Sequence, residues 1–187
     1  MTDLIPLTGE PLVLDLVNTR TADGDLLTAP ADLGRWLTLE AERFPEAAEL
    51  AGADLGTDDV AAVREVRAHA ANAVEAARHA EVPSAADLDA LTRAQRAAPA
   101  VLELAWDGAA VTATRRRAGP PGRRLAAWLA EAAAEFLADP AVSRVRRCAA
   151  DDCVLLFLPA HPRRRWCSPT RCGNRVRVAR HYRRHRA

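Results

Sequence analysis

Lysine is missing from this chain: all 26 basic residues are arginine, set against 25 acids for a formal net charge of +1. With only one kind of strong cation present, the placement of charge carries information and its chemical type does not. Aromatic residues are scarce at 4%, while apolar content is 49% with alanine carrying much of it. That balance favours close-packed helices over a β-sandwich. No apolar run approaches the roughly 18 residues needed to span a membrane. Residues 1–6 have neither the basic start nor the apolar core of a signal peptide, so a cytoplasmic protein is expected. There is no nucleophile–base pair, glycine-rich phosphate loop or open catalytic-metal motif, so no enzyme is expected.

Cysteine is absent up to Arg147 and then appears four times, as Cys148, Cys153, Cys167 and Cys172. Four residues lie inside each pair and thirteen between the pairs. In a reducing cytosol such a cluster is expected to hold metal, the alternatives being two disulfides or four unrelated thiols. Four thiolates fill a tetrahedral zinc shell, so one structural Zn2+ is expected, with no open position for catalysis. The resulting −2 cluster needs compensation, and Arg147, Arg165 and Arg171 flank it. A module this small is also near the size at which a fold needs a metal.

Acidic residues vanish after Asp152. Residues 1–142 hold 13 Arg against 23 acids, and residues 143–187 hold 13 Arg against Asp151 and Asp152 alone. A basic module attached to an acidic body is expected to meet a polyanion. The candidate nucleic-acid contacts are Arg163, Arg164 and Arg165 between the cysteine pairs, Arg171 beside the last ligand, and Arg175, Arg177, Arg180, Arg183, Arg184 and Arg186 beyond it. The competing readings are a solvated basic tail, or an RNA-binding or protein-interaction adaptor whose helix docks on an acidic partner.

The chain otherwise reads as a mainly α body of residues 1–142, with the bend at Asp139-Pro140 as the boundary to a module of residues 143–187. Residues 11–20 predict a short helix, or alternatively a buried strand, around Asp15. Further helices are predicted after Thr28 and Pro30, over Pro45 to Ala51, and over Asp58 to Ala80 with Thr57 as cap. Two more follow, one from the Ser84/Asp87 capping pair to Ala97 and one through Leu125 and Phe136. Between the last two, residues 101–106 and 109–114 predict one β-hairpin on a two-residue Asp107-Gly108 turn. Asp15, Asn18 and Thr19 form a polar set inside apolar sequence that either ends the first helix or lines a pocket. In the cysteine module, Val154 to Leu158 predicts a strand with Arg164-Arg165-Trp166 returning antiparallel. A helix then starts at Ser168-Pro169 or at Asn174, as in a treble-clef zinc site, with Val176, Val178, Ala179 and Tyr182 packed back on the finger.

Residues 148–175 resemble the CGNR zinc-finger family through the run Cys172-Gly173-Asn174-Arg175, the Trp166-Cys167-Ser168 run and the Phe157 strand. Leu14-Asp15-Leu16-Val17-Asn18-Thr19 resembles the opening of the ABATE domain that precedes such fingers. Pro159-Ala160-His161 departs from the pattern many members carry after the Phe strand. The resemblance implies a stress-induced transcription regulator, with a helical sensor-like domain open to a small-molecule effector and a finger that binds DNA. The choice of DNA over RNA comes from the resemblance alone.

Overall fold

The computed structural model describes residues 8–185, without the side chains of Arg180, Arg183, Arg184 and His185; Arg186 and residues 1–6 lie outside it. The described chain is mainly helical, with three two-stranded antiparallel ribbons. Helix α1 (Leu12–Val17) follows Pro11 and is buried from Leu12 to Leu16, which explains an apolar run without an amphipathic period. A two-residue ribbon, β1 (Arg20–Thr21) with β2 (Gly24–Asp25), leads to α2 (Pro30–Glu40) and α3 (Pro45–Ala51). Both helices open on proline, whose fixed φ and missing N–H suit a first turn.

The long α4 (Thr57–Arg78) and α6 (Pro121–Ala138) pack on α1 and on each other, and α5 (Ala85–Ala97) packs on both of them. Small residues let these axes approach: Ala70 and Ala73 of α4 and Ala127, Ala130 and Ala133 of α6 are fully buried. Leu14, Leu16, Leu37, Leu125 and Leu129 fill the space between them, each burial stabilising by about 2 kcal/mol. Trp128 of α6 meets Phe44 edge-on at 5.9 Å. Ser84 caps α5 through Asp87 as expected, its Oγ accepting the Asp87 N–H at 3.1 Å. Thr57 does not cap α4. It is the first helical residue, and the Asp59 carboxylate instead accepts the N–H of Gly56, at 2.8 Å.

The hairpin β3 (Ala100–Trp106) and β4 (Val111–Arg117) is present, but its loop has four residues rather than two. Asp107 accepts the N–H groups of both Ala109 and Ala110 at 2.9 Å, which closes the wider loop, and Gly108 takes φ +103° there. The ribbon stands out from the body, with Leu104 and Trp106 exposed at 72% and 66%.

The first helix leads into a buried charge cluster. Asp15 and Glu40, both fully buried, share one guanidinium, with Arg43 Nη1 2.5 Å from Asp15 and 3.0 Å from Glu40. Asp15 also accepts the N–H groups of Gly9 and Glu10, while Glu40 Oε1 has no hydrogen-bond partner. Burial pushes the Asp15 carboxyl up to about 6, and burial plus repulsion from Asp15 pushes Glu40 up to about 7. Each acid therefore keeps a proton in the folded state that the unfolded chain has released, so this cluster loses stability as pH rises through its window, from 4.5 to about 7 for Glu40. Glu40→Gln keeps the shape without the charge. Urea denaturation should find it about 1–3 kcal/mol more stable than the parent at about pH 7.5, with the difference vanishing towards about pH 4. Comparing the two proteins cancels the pH dependence of metal binding. A difference that does not change with pH would show that Glu40 does not titrate in this range.

Candidate metal centre and its seat on the helical body

The cysteine module begins where a turn at Pro140–Arg144 leads from α6 into β5 (Arg146–Arg147), which pairs with β6 (Leu156–Phe157). This corrects the expected ribbon: Arg164-Arg165-Trp166 is not the partner strand. The first cysteine loop folds back on itself, and the Cys148 N–H donates to Leu155 O at 2.9 Å, extending the β5–β6 ladder to the first ligand. Arg165 instead offers its carbonyl to the Ala149 N–H at 2.9 Å, so the returning segment touches the cysteine loop. Ser168 then opens a widened helical turn over Pro169–Gly173, its Oγ accepting the Arg171 N–H, and the turn runs into α7 (Asn174–His185). Gly173 sits in close approach to Trp166, whose ring a Cβ there would meet at 3.3 Å.

This path brings all four sulfurs within 4.8 Å of one another. Cys153 Sγ lies 3.8 Å and Cys172 Sγ 3.5 Å from Cys167 Sγ, and none of the four is in a disulfide. A Zn–S bond of about 2.3 Å places tetrahedral sulfurs about 3.8 Å apart, so the donor set fits one zinc ion. Without a cation the thiols cannot all ionise. Cys153 is pulled down to about 5 because Cys167 donates to it, while the bond to Cys153 drives Cys167 far above the ordinary thiol range. Burial holds Cys172 up at about 11. Zinc supplies the charge that lets all four become ligands, and four sulfurs leave it no open position. Further neutralisation comes from Arg175, whose Nη2 sits 3.5 Å from Cys172 Sγ, and the Cys167 N–H donates to Cys148 Sγ at 3.4 Å.

The module does not hang free. The Asn18 amide, at the end of α1, donates to Leu156 O and accepts the Leu156 N–H, both at 2.8 Å and both buried. Val145 and Leu156 are buried in the same core as α1, α4 and α6. Glu10 accepts the Leu158 N–H at 2.9 Å and an Arg164 N–H at 2.6 Å. Arg164 also donates to the carbonyls of Trp166 and Cys167 and lies 4.4 Å over the Phe157 ring.

A family model described as "Putative stress-induced transcription regulator", ABATE, matches residues 10–140, and a CGNR zinc-finger model matches residues 144–185. The chain belongs to the ABATE family. Its four cysteines are those of a CGNR zinc finger and are positioned to bind one metal ion. Both families are regulatory or zinc-finger families rather than enzymatic ones. The comparison with curated proteins gives no match. No helix among the described residues is long and apolar enough to cross a membrane.

The sequence-predicted residues of this ABATE protein fall into distinct places. Arg163, Arg165, Arg171, Arg175 and Arg177 are exposed on the finger, whereas Arg164 is turned inward to Glu10. The side chains of Arg180, Arg183 and Arg184, and all of Arg186, lie outside the described residues. Asp15 and Thr19 are fully buried: Asp15 is bound to Arg43, and the Thr19 hydroxyl donates to Leu16 O and accepts from Arg67. Asn18 alone of that set reaches a cavity wall. Glu10 escaped sequence reasoning, since an acid before Pro11 carries no local sign of a partner 154 residues away.

Two substitutions separate metal from docking. Cys167→Ser should lower zinc below about half an equivalent by atomic emission while circular dichroism retains the body's helices, because they share a core made without the ligands. Global unfolding would show that finger and body form one cooperative unit. Asn18→Ala strands both polar groups of Leu156 and should cost about 2–4 kcal/mol by urea denaturation with zinc content unchanged. A loss below about 0.5 kcal/mol would mean that the clamp is dispensable.

Proposed function

We propose that this ABATE protein is a cytoplasmic transcription regulator, in which a finger of residues 143–187 binds DNA and a body of residues 1–142 controls it by way of a small-molecule effector. The observation that carries the reading is the state of α7. Among its described side chains, Val176 near its start packs beside the ligand cysteines. Val178 and Tyr182, expected to pack back, are exposed at 44% and 63%. With Val178 and Tyr182 uncovered, α7 offers a surface to a partner. Residues 174–187 carry six arginines, five of them in α7, and no acid, so that partner is a polyanion.

In this reading Cys148, Cys153, Cys167 and Cys172 hold zinc, and the zinc fixes the angle at which α7 leaves the finger. Arg163, Arg165, Arg171, Arg175 and Arg177 supply phosphate contacts, with Arg180, Arg183, Arg184 and Arg186 further along the chain. Arg164 is better assigned to holding the finger on the body. The Arg175 pair with Asp152 at 2.8 Å is exposed on both sides, hence weak and readily exchanged for a phosphate. Among the described residues Arg177 donates to the Pro169 carbonyl, at 3.4 Å.

Fluorescence anisotropy with random duplex DNA tests this. Log K should fall by roughly five per decade of salt if about six phosphates are engaged. Replacing Arg177 with Ala should reduce that slope by about one. Failure of the zinc-loaded protein to bind duplex at low salt, with binding to single-stranded RNA or to an acidic peptide in its place, would sink the DNA reading.

A further inference from the structure

A cavity of about 810 Å³ lies between the ABATE body and the finger. One wall is a stripe of α4 in which Ala61, Ala68 and Ala71 stand at helical spacing, so the wall recedes. The floor is Val17 and Asn18 at the end of α1, and the finger closes the far side with Val154 and Leu156. Four arginines line this space: Arg20, Arg64 and Arg67 from the body and Arg147 from the finger.

Their charges are unequally spent. Arg67 is buried and bound at both ends to Asp25, at 2.5 and 2.7 Å, and Arg64 meets the same carboxylate at 3.1 Å through Nε. Asp25 therefore answers one of two cations. Arg147 makes a single long bond, 3.5 Å from Nε to Cys153 O, and Arg20 has no ion pair among the described residues. The acids on the same wall offset this little: Glu75 is bound to Arg78, and Glu65 is an exposed partner of His69 at 3.9 Å. A cleft lined partly by alanine and valine and partly by polar groups, Thr21 and Asn72 among them, thus holds a surplus of arginine donors contributed by both parts of the chain.

We infer that this cleft binds a small amphipathic organic anion. Its carboxylate is received by Arg20, Arg64 and Arg147, and its hydrocarbon part lies along Ala61, Ala68, Val17 and Val154. A nucleic-acid backbone is the weaker candidate, because phosphates gain nothing from the apolar walls. Arg147 and Leu156 belong to the finger, and the Asn18 clamp forms part of the floor. A ligand here consequently links finger to body in parallel with that clamp. Control of DNA binding by this ligand rests on the regulator reading above; occupancy of the cleft does not.

Calorimetric titration of the zinc-loaded full chain tests the inference with three probes: octanoate, its neutral analogue octanamide, and inorganic phosphate. Octanoate should bind at least about tenfold tighter than either of the others, because only it uses both the cations and the walls. Arg20→Gln should weaken octanoate by about threefold to tenfold with no effect on octanamide. Ala68→Trp, which fills the cleft from an exposed position, should abolish octanoate binding while zinc content and duplex affinity hold. Equal affinity for octanoate and octanamide, or no effect of either variant, overturns the proposal. So does displacement of octanoate by duplex together with weakened duplex binding in Ala68→Trp, which would make the cleft part of the nucleic-acid surface. Octanoate binding in a protein that fails to bind DNA would count against the regulator reading alone.

Discussion

The two hydrogen bonds between the Asn18 amide and the backbone of Leu156 govern how everything else is arranged. A primary amide presents one donor and one acceptor in a plane, as a neighbouring strand would, and so completes the outer edge of a two-residue strand with no partner there. Because both bonds are buried, breaking them leaves two unsatisfied backbone groups, which is why so small a contact can hold one orientation. Leu156 and Val145 then enter the body's core, and Glu10 adds a second polar tie through Leu158 and Arg164. Glu10 is in turn positioned by the Asp15–Arg43 cluster, through its own N–H and carbonyl. A chain of contacts therefore runs from two buried carboxylates to the finger.

The metal centre solves a different problem. Outside the residues that touch the body, the finger has little core: three of the four cysteines, Ala150 and part of Leu155, Trp166 and Val176 are nearly all of it. Zinc replaces the missing apolar area with four strong bonds and fixes the start of α7. The arginines in and around the module then act in three ways. Arg175 partly neutralises a ligand, Arg164 holds the finger to the body, and the exposed remainder gives the surface its sign. Composition alone treats these cations as one class, and only their partners divide them.

The helices were largely legible in the sequence. Proline, Ser84 and acidic first turns mark where each helix starts, and apolar spacing marks the buried face, so α2, α3, α5 and α6 fall close to where they are expected. The departures arise where side chains redirect the backbone. Asp107 widens a turn by accepting two N–H groups, and Asp59 takes over a cap that Thr57 could have supplied. The ribbon of the finger pairs β6 with β5 because the first cysteine loop brings it back beside Arg146 and Arg147.

By itself the sequence determined the ligand set and the charge division, because thiol chemistry needs only four cysteines close in the chain and net charge needs only counting. It also determined the helical class, through local capping and period. Tertiary structure decided which arginines are exposed and which is turned inward, what Asn18 and Glu10 hold, and that a cleft lined by arginines lies between body and finger. These depend on residues brought together from as far apart as positions 10 and 164, and no local pattern encodes such a meeting.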